Sequence, residues 1–148
     1  MKITKCLRLA AIAACLPAMS VVLTGMQTSN QDTTAGYLLE HLETYAGPNS
    51  VFTHGPLFGS VISDSTLEMN LQLIGAHDYT FIAACDSDCD DVDLAAYEGS
   101  SLIDDDTLGD DYPLVTISAT RDMEITLEIK MYSCATEWCD VVMVGYRD

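Results

Sequence analysis

Residues 123–131 have the sequence MEITLEIKM, in which every second residue is apolar and the residues between are polar. A period of two places all the apolar side chains on one face of an extended chain, so this stretch predicts a half-buried β-strand. The sequence LEMNLQL at residues 67–73 repeats the pattern. Further short strands are predicted at residues 79–85, 92–96, 114–118 and 141–146.

Turn-forming residues separate these strands, with Gly55-Pro56, Gly75, Gly99 and Gly109 as the main interruptions. Several half-buried strands divided by such turns are typical of antiparallel sheets packed face to face. A parallel α/β fold would need a helix in each crossover, and the chain has the pattern for only one helix. We therefore predict an all-β fold, a two-sheet antiparallel β-sandwich of seven or eight strands with one N-terminal helix.

The single predicted helix covers residues 33–47. Leu38, Leu42 and Tyr45 are spaced to lie on one of its faces, and Gly47-Pro48 ends it. We expect this face to pack onto the β-sandwich domain or across its end; the domain is predicted over residues 50–148.

Residues 1–20 have the three parts of a secretory signal peptide. A basic start precedes an apolar run, and small residues precede a cleavage position after Ser20. Cleavage between residues 20 and 26 would leave residues 21–32 as a flexible polar tether. The residues that form the basic start and the apolar run are Lys2, Lys5, Arg8 and residues 9–16.

Two alternatives for this leader stay open. A retained membrane anchor would need roughly 20 apolar residues, and Pro17 and Ser20 interrupt the run. Lipid attachment is the other alternative, because Ile12-Ala13-Ala14-Cys15 has the pattern of a bacterial lipoprotein box. Cleavage of the leader predicts a periplasmic or extracellular protein without a membrane span, whereas lipid attachment predicts a protein anchored through Cys15.

The charge of the chain is strongly negative. It has 23 acidic and six basic residues, for a formal net charge of −17. Three of the basic residues lie in the leader and all 23 acids follow it, so the remainder carries a formal charge of −20. A surface of this charge repels nucleic acid and anionic lipid, and we predict no nucleic-acid partner.

Four cysteines follow the leader, an even number in a small domain bound for an oxidising compartment. Pairing within each local segment, Cys85 with Cys89 and Cys134 with Cys139, closes two small loops without rearranging strands. We predict this pairing. Cross-pairing between the two segments and a zinc site of four thiolates are the alternatives.

The densest group of ionisable residues lies within Cys85–Leu94, where five aspartates occur in eight positions. Carboxylate oxygens at this density suit a hard cation such as calcium. A second acidic segment, predicted as a loop, includes Asp104-Asp105-Asp106 and Asp110-Asp111, and a sandwich can bring two such loops together at one end. The alternative is that these side chains are solvated loop residues. The candidate calcium ligands are Asp86, Asp88, Asp90, Asp91 and Asp93.

Other candidate functional residues are few. Trp138 lies between Cys134 and Cys139, where an exposed indole would suit stacking on a sugar or anchoring a protein partner. The histidines His41, His54 and His77 belong to no hydrolase or metal-site motif, and His54 and His77 beside glycines are interpreted as turn residues. We therefore predict no catalytic residues and a protein that is not an enzyme.

From about Leu57 to Tyr146 the sequence resembles the bacterial pre-peptidase C-terminal (PPC) domain. The most specific element is Cys-Asp-x-Asp-Cys, followed later by a second pair of cysteines. The usual Thr-Gly-x-Tyr turn of the family is replaced here by residues 121–124. The matching segments are Leu57-Phe-Gly-Ser-Val61, residues 67–73, Tyr79–Cys89, Asp91-Val-Asp-Leu94, Asp106–Val115, and Met131–Cys134 with Cys139.

This resemblance implies a jelly-roll-like β-sandwich, secreted and non-catalytic, here in a stand-alone form. Such domains are attached to exported peptidases and are thought to aid export or to bind substrates. We expect a non-enzymatic exported binding or accessory module, with calcium as a candidate stabilising ion and a protein or glycan as the partner. The alternative is a structural or envelope-associated acidic protein with no small ligand.

Overall fold

The computed structural model describes residues 39–40 and 42–148. The predicted signal peptide, the tether, Cys15, His41 and the first residues of the predicted helix lie outside the described residues. Residues 39, 40 and 42 are helical, and a single 3₁₀ turn, Glu43–Tyr45, follows them. Within the described part of the chain, no helix has the length and apolar character needed to cross a bilayer.

The rest of the described chain forms eight antiparallel strands in two four-stranded sheets. Sheet A has the strand order β1-β8-β3-β6, and sheet B has the order β2-β7-β4-β5. The strands are β1 (Val51–Val61), β2 (Ser65–Leu73), β3 (His77–Cys85), β4 (Cys89–Glu98), β5 (Ser101–Asp106), β6 (Leu114–Ala119), β7 (Met123–Cys134) and β8 (Cys139–Arg147).

This strand order is that of an eight-stranded jelly roll. Every connection between consecutive strands crosses from one sheet to the other, except the turn from β4 to β5. The predicted all-β, two-sheet antiparallel sandwich is therefore confirmed. Because β1 and β3 both run antiparallel to β8, the loops that follow β1 and β3 lie at the same end as the loop that precedes β8.

The core lies between the inner faces of the two sheets. The alternation that predicted β7 places Ile125, Leu127, Ile129 and Met131 in this core, where all four are buried, and leaves Glu124 on the outer face. Burying one such side chain stabilises the fold by about 1.5–3 kcal/mol. A period of two in the sequence thus becomes one dry face and one solvated face.

Strands β3 and β8 are buried on both faces. Residues 81–85 and 141–146 are continuous apolar runs, the pattern of a strand covered on each side. The cover on the outer face of sheet A is the N-terminal segment, because Leu39, Leu42 and Ala46 pack against the group that includes Ile82 and Val144.

Tyr45 lies outside this buried group, although the helical spacing placed it on the same face as Leu42. It is exposed, whereas Leu42 is fully buried. Tyr45 ends the 3₁₀ turn, which has three residues per turn instead of 3.6, so the stripe of an α-helix does not continue to it.

Two strands lie where the sequence predicted turns or a loop. β1 runs through Gly55-Pro56 and Gly59, and its register against β8 shifts on both sides of His54. An edge strand accommodates glycine and proline at such bulges. β5 contains Asp104-Asp105-Asp106, which pair with β4, so the predicted acidic loop is here a strand.

Candidate functional site

Two disulfides close neighbouring loops at one end of the sandwich. Cys85–Cys89 spans the turn between β3 and β4, and Cys134–Cys139 spans the loop between β7 and β8. The predicted local pairing is confirmed. Cys89 lies directly opposite Cys134 in the register of β4 against β7, which places the two loops side by side. We call residues 85–89 and 134–139 together the disulfide end.

Backbone hydrogen bonds join the two loops of the disulfide end. The amide of Ala135 donates to the carbonyl of Asp88 over 2.7 Å, and the amide of Asp86 donates to the carbonyl of Asp140 over 2.9 Å. The amide of Asp140 in turn donates to the Asp86 carboxylate over 2.9 Å. The loops therefore form one cross-linked unit.

Trp138 projects from this unit with 54% of its surface exposed. Its backbone carbonyl accepts a hydrogen bond of 2.7 Å from the hydroxyl of Thr136, which orders the loop beneath it. The β1–β2 loop lies alongside, because Ser63 exchanges hydrogen bonds with the backbone of Cys134 and carries the exposed Ile62 to this end. An exposed indole on a covalently closed loop is a candidate contact residue.

The five candidate calcium ligands do not share one environment. Both carboxylate oxygens of Asp86 accept backbone hydrogen bonds, from Asp88 over 3.3 Å and from Asp140. Asp88 and Asp90 are exposed, Asp91 is partly buried, and Asp93 is buried on the outer face of sheet B. Asp86 thus holds the loop in shape, as an aspartate in an Asx turn does.

The second acidic segment lies beside the first. The amide of Val92 donates to the Asp110 carbonyl over 3.1 Å, and the amide of Cys85 donates to the Asp111 carbonyl over 3.3 Å. Among the described residues, however, no three side chains of His, Cys, Asp or Glu converge on a point that would hold a metal ion. Calcium binding by Asp86–Asp93 stays a prediction.

Asp104 and Asp106 were predicted in an acidic loop beside the candidate calcium ligands, but their carboxylates accept hydrogen bonds from the backbone of β6. The Asp104 carboxylate accepts the amide of Thr116 over 2.7 Å, and the Asp106 carboxylate accepts the amide of Leu114 over 2.9 Å. These two amides belong to β6, the edge strand of sheet A, whereas both aspartates belong to β5, the edge strand of sheet B. The carboxylates therefore close one side of the sandwich by satisfying exposed edge amides.

The surroundings of Asp93 alter the ionisation of its carboxyl. It is 8% exposed and lies opposite Lys130 in the register of β4 against β7. Loss of hydration raises the pKa of its carboxyl, and the neighbouring charge of Asp91 raises it further, while Lys130 opposes them. The pKa of Lys130 is itself raised, first by its hydrogen bond to the Tyr132 hydroxyl and also by Asp93.

Replacing Asp93 with asparagine is expected to stabilise the domain at pH 7. The pKa of Asp93 is higher in the folded state than the ordinary 3.8, so the folded state binds more protons than the unfolded state between these two pKa values. The stability of the fold therefore falls as the pH rises from 3.8 through the raised pKa. The gain from Asp93→Asn should vanish below about pH 3.8, which urea unfolding at several pH values measures. A gain that is equal at all pH values, or the same gain from Asp90→Asn, would contradict the assignment.

The two described histidines have structural surroundings. His54 lies within β1, so its interpretation as a turn residue is wrong. The centroid of its ring lies 5.8 Å from that of the Tyr79 ring and 5.4 Å from that of the Phe81 ring. His77 begins β3 and lines an open cleft of about 210 Å³ with residues that include Asp78, Ser118 and Asp148.

No protein-family model and no curated protein matches this chain. The resemblance to the PPC domain therefore stays a prediction. Its most specific element, Cys-Asp-x-Asp-Cys, is the turn between β3 and β4. The contacts of this turn with the loop around Trp138 had no signal in the sequence, since they join residues 54 positions apart.

Proposed function

We propose that the protein is a non-enzymatic, exported binding module that contacts its partner through the disulfide end. The observation that carries this proposal is Trp138, more than half exposed on a loop closed by Cys134–Cys139 and tied to a second closed loop. The proposed partner is a protein or a glycan, and the resemblance to secreted accessory domains supports the same role.

Physical reasoning favours this surface for binding. Ordering a flexible loop on association lowers affinity, and a loop closed by a disulfide has less freedom to lose. Tryptophan supplies a large apolar contact area with few rotatable bonds and is enriched at the energetic centres of interfaces. The acidic residues around it, among them Asp88, Asp90 and Glu137, are exposed and favour neutral or cationic partners over anionic ones.

Replacing Trp138 with alanine tests this proposal. Immobilised protein is screened against a glycan panel and against proteins exported by the same cells, and the affinity of each hit is measured by calorimetry. We expect Trp138→Ala to weaken binding about 30-fold or more, as loss of a central aromatic does. Phe58→Ala is the control, because Phe58 is equally exposed on β1 in sheet A.

Equal weakening by both substitutions, or none by Trp138→Ala, would place the binding surface elsewhere. A failure to bind any member of either panel would favour the structural, envelope-associated alternative.

Calcium supplies a separate prediction for the same end of the molecule. If Asp86–Asp93 bind calcium in the folded state alone, calcium raises the melting temperature of the protein by mass action. Thermal unfolding with calcium, with magnesium and with a chelator measures this. A rise in melting temperature that is specific to calcium and is lost in Asp88→Asn would support calcium binding at the disulfide end. The same small shift with either cation would indicate that these aspartates act only as surface charge.

A further inference from the structure

The sandwich has four edge strands, and three of them carry features that block pairing with another chain. β1 is bulged around Gly55-Pro56, β5 has a register shift opposite Ala96-Tyr97, and the outward amides of β6 are capped by Asp104 and Asp106. Bulges, prolines and caps of this kind keep edge strands from associating.

Along its described length, β2 has only one such feature: the His54 ring caps the carbonyl of Gln72 near the end of the strand. All nine of its residues pair with β7 in unbroken register, and it contains no proline. On its other side, no backbone hydrogen bond links it to β1, the nearest strand of sheet A. A long, regular edge of this kind can accept an added strand.

The backbone groups on this free edge can be assigned. The carbonyl of Gln72 lies 3.3 Å from the His54 ring nitrogen Nε2, so it faces away from β7. The amide and carbonyl of one strand residue point to the same side, and the side alternates along the strand. The amides and carbonyls of Thr66, Glu68 and Asn70 therefore also face the free edge.

The inner side chains beside this edge are incompletely covered. Leu67, Met69 and Leu71 point into the sandwich but are only partly buried, whereas Ile129, Leu127 and Ile125, which lie opposite them on β7, are fully buried. The side of the sandwich between β1 and β2 is thus covered only in part, although Leu67 packs directly on Gly59 of β1. Apolar side chains of an added strand would find partly exposed apolar surface there.

The outer side chains of β2 and β7 indicate which charge an added strand should carry. Glu68 lies directly opposite Glu128 on β7, and like charges at such cross-strand positions are unfavourable. The ion pair among the described residues, between Arg121 and Glu98, involves neither of them. A lysine or arginine opposite Glu68 on an added strand would relieve this repulsion.

We propose that the free edge of β2 binds an extended, cationic segment of another protein, added to sheet B as a further strand with basic and apolar residues in alternation. The basic residues lie over Glu68 and Glu128, and the apolar residues pack against the partly exposed surface of Leu67 and Met69. This surface is separate from the disulfide end, so the two proposals fail independently.

The probe is a synthetic peptide of the length of β2 in which valine and lysine alternate. A peptide of the same composition with the lysines in one block, and one that alternates valine with glutamate, are the controls. Calorimetry measures the affinity, and hydrogen exchange followed by NMR measures protection of the Glu68 and Asn70 amides. Asn70→Pro removes an outward amide, and Glu68→Gln removes the charge; Asp105→Asn is the matched charge control on β5.

We expect the alternating valine–lysine peptide to bind and to slow exchange at Glu68 and Asn70. Asn70→Pro should weaken binding about tenfold or more and Glu68→Gln several-fold, while Asp105→Asn has little effect. If Asn70→Pro does not fold, the exchange result on the unaltered protein decides.

Three results would overturn the proposal. The first is no binding of the alternating peptide, or equal binding of the block peptide. The second is binding that leaves exchange at Glu68 and Asn70 unchanged, which would locate the peptide on another acidic surface. The third is slow exchange of these amides before peptide is added, which would assign the edge to a second copy or to residues 21–38; sedimentation velocity distinguishes those two.

Discussion

Replacing Phe81 with alanine is expected to lower the free energy of unfolding by about 3–5 kcal/mol, the usual cost of deleting a buried phenylalanine ring. Phe81 is 0% exposed, and its ring stacks on Tyr79 with centroids 6.3 Å apart. It lies opposite Gly145 on β8, and an added Cβ at Gly145 would come within 2.5 Å of the ring. Removal of the ring would leave a cavity beside Gly145, which has no side chain of its own to fill it.

Phe58→Ala is the matched control for this prediction. Phe58 is the same residue type in the same sheet but is 56% exposed, so its loss is expected to cost well under the value for Phe81. Chemical denaturation of both variants gives the comparison. A loss at Phe81 below about 1.5 kcal/mol would mean that the core around Gly145 is not packed as described.

Replacing Asp106 with alanine is expected to cost about 1–2 kcal/mol, and Asp104→Ala a similar amount. Each substitution removes a carboxylate that accepts a hydrogen bond from a backbone amide of β6. A hydrogen bond to a charged group contributes about 1.5–3 kcal/mol, and the partly exposed position of these groups lowers that value. Because both aspartates join β5 to β6, hydrogen exchange of the Leu114 and Thr116 amides should also quicken.

Asp105→Ala is the control for both substitutions. Asp105 lies between Asp104 and Asp106 in β5 but points to the other side, is exposed, and accepts no amide of β6. Its replacement should change stability by less than about 0.5 kcal/mol. An equal cost at all three positions would indicate a general effect of charge on β5 rather than closure of the sandwich edge.

The sequence was informative wherever a pattern depends on neighbours along the chain. The period of two at residues 123–131 and 67–73 predicted β7 and β2 because side chains of an extended chain alternate between its faces, whatever lies opposite. The disulfides were predicted for the same reason, since Cys85 and Cys89 are near each other before any strand pairs. Trp138 was singled out as a residue within a loop that a disulfide would close.

The sequence was uninformative where an element depends on a distant partner. The glycines and the proline of β1 indicated turns, and only its pairing with β8 makes that segment a strand. Asp104, Asp105 and Asp106 are chemically the same in the sequence, yet two of them cap β6 and the third faces solvent, because β6 passes along one side of β5 alone.

By itself, then, the sequence determined the all-β class, the local disulfide pairing and a strongly acidic surface, since each follows from residue type and short-range spacing. The tertiary structure alone decided the jelly-roll order, the union of the two disulfide loops and the regular edge of β2, which the described residues cap only at Gln72. These features arise from hydrogen bonds and packing between segments far apart in the chain, and the free energy of such contacts belongs to the folded arrangement rather than to any one segment.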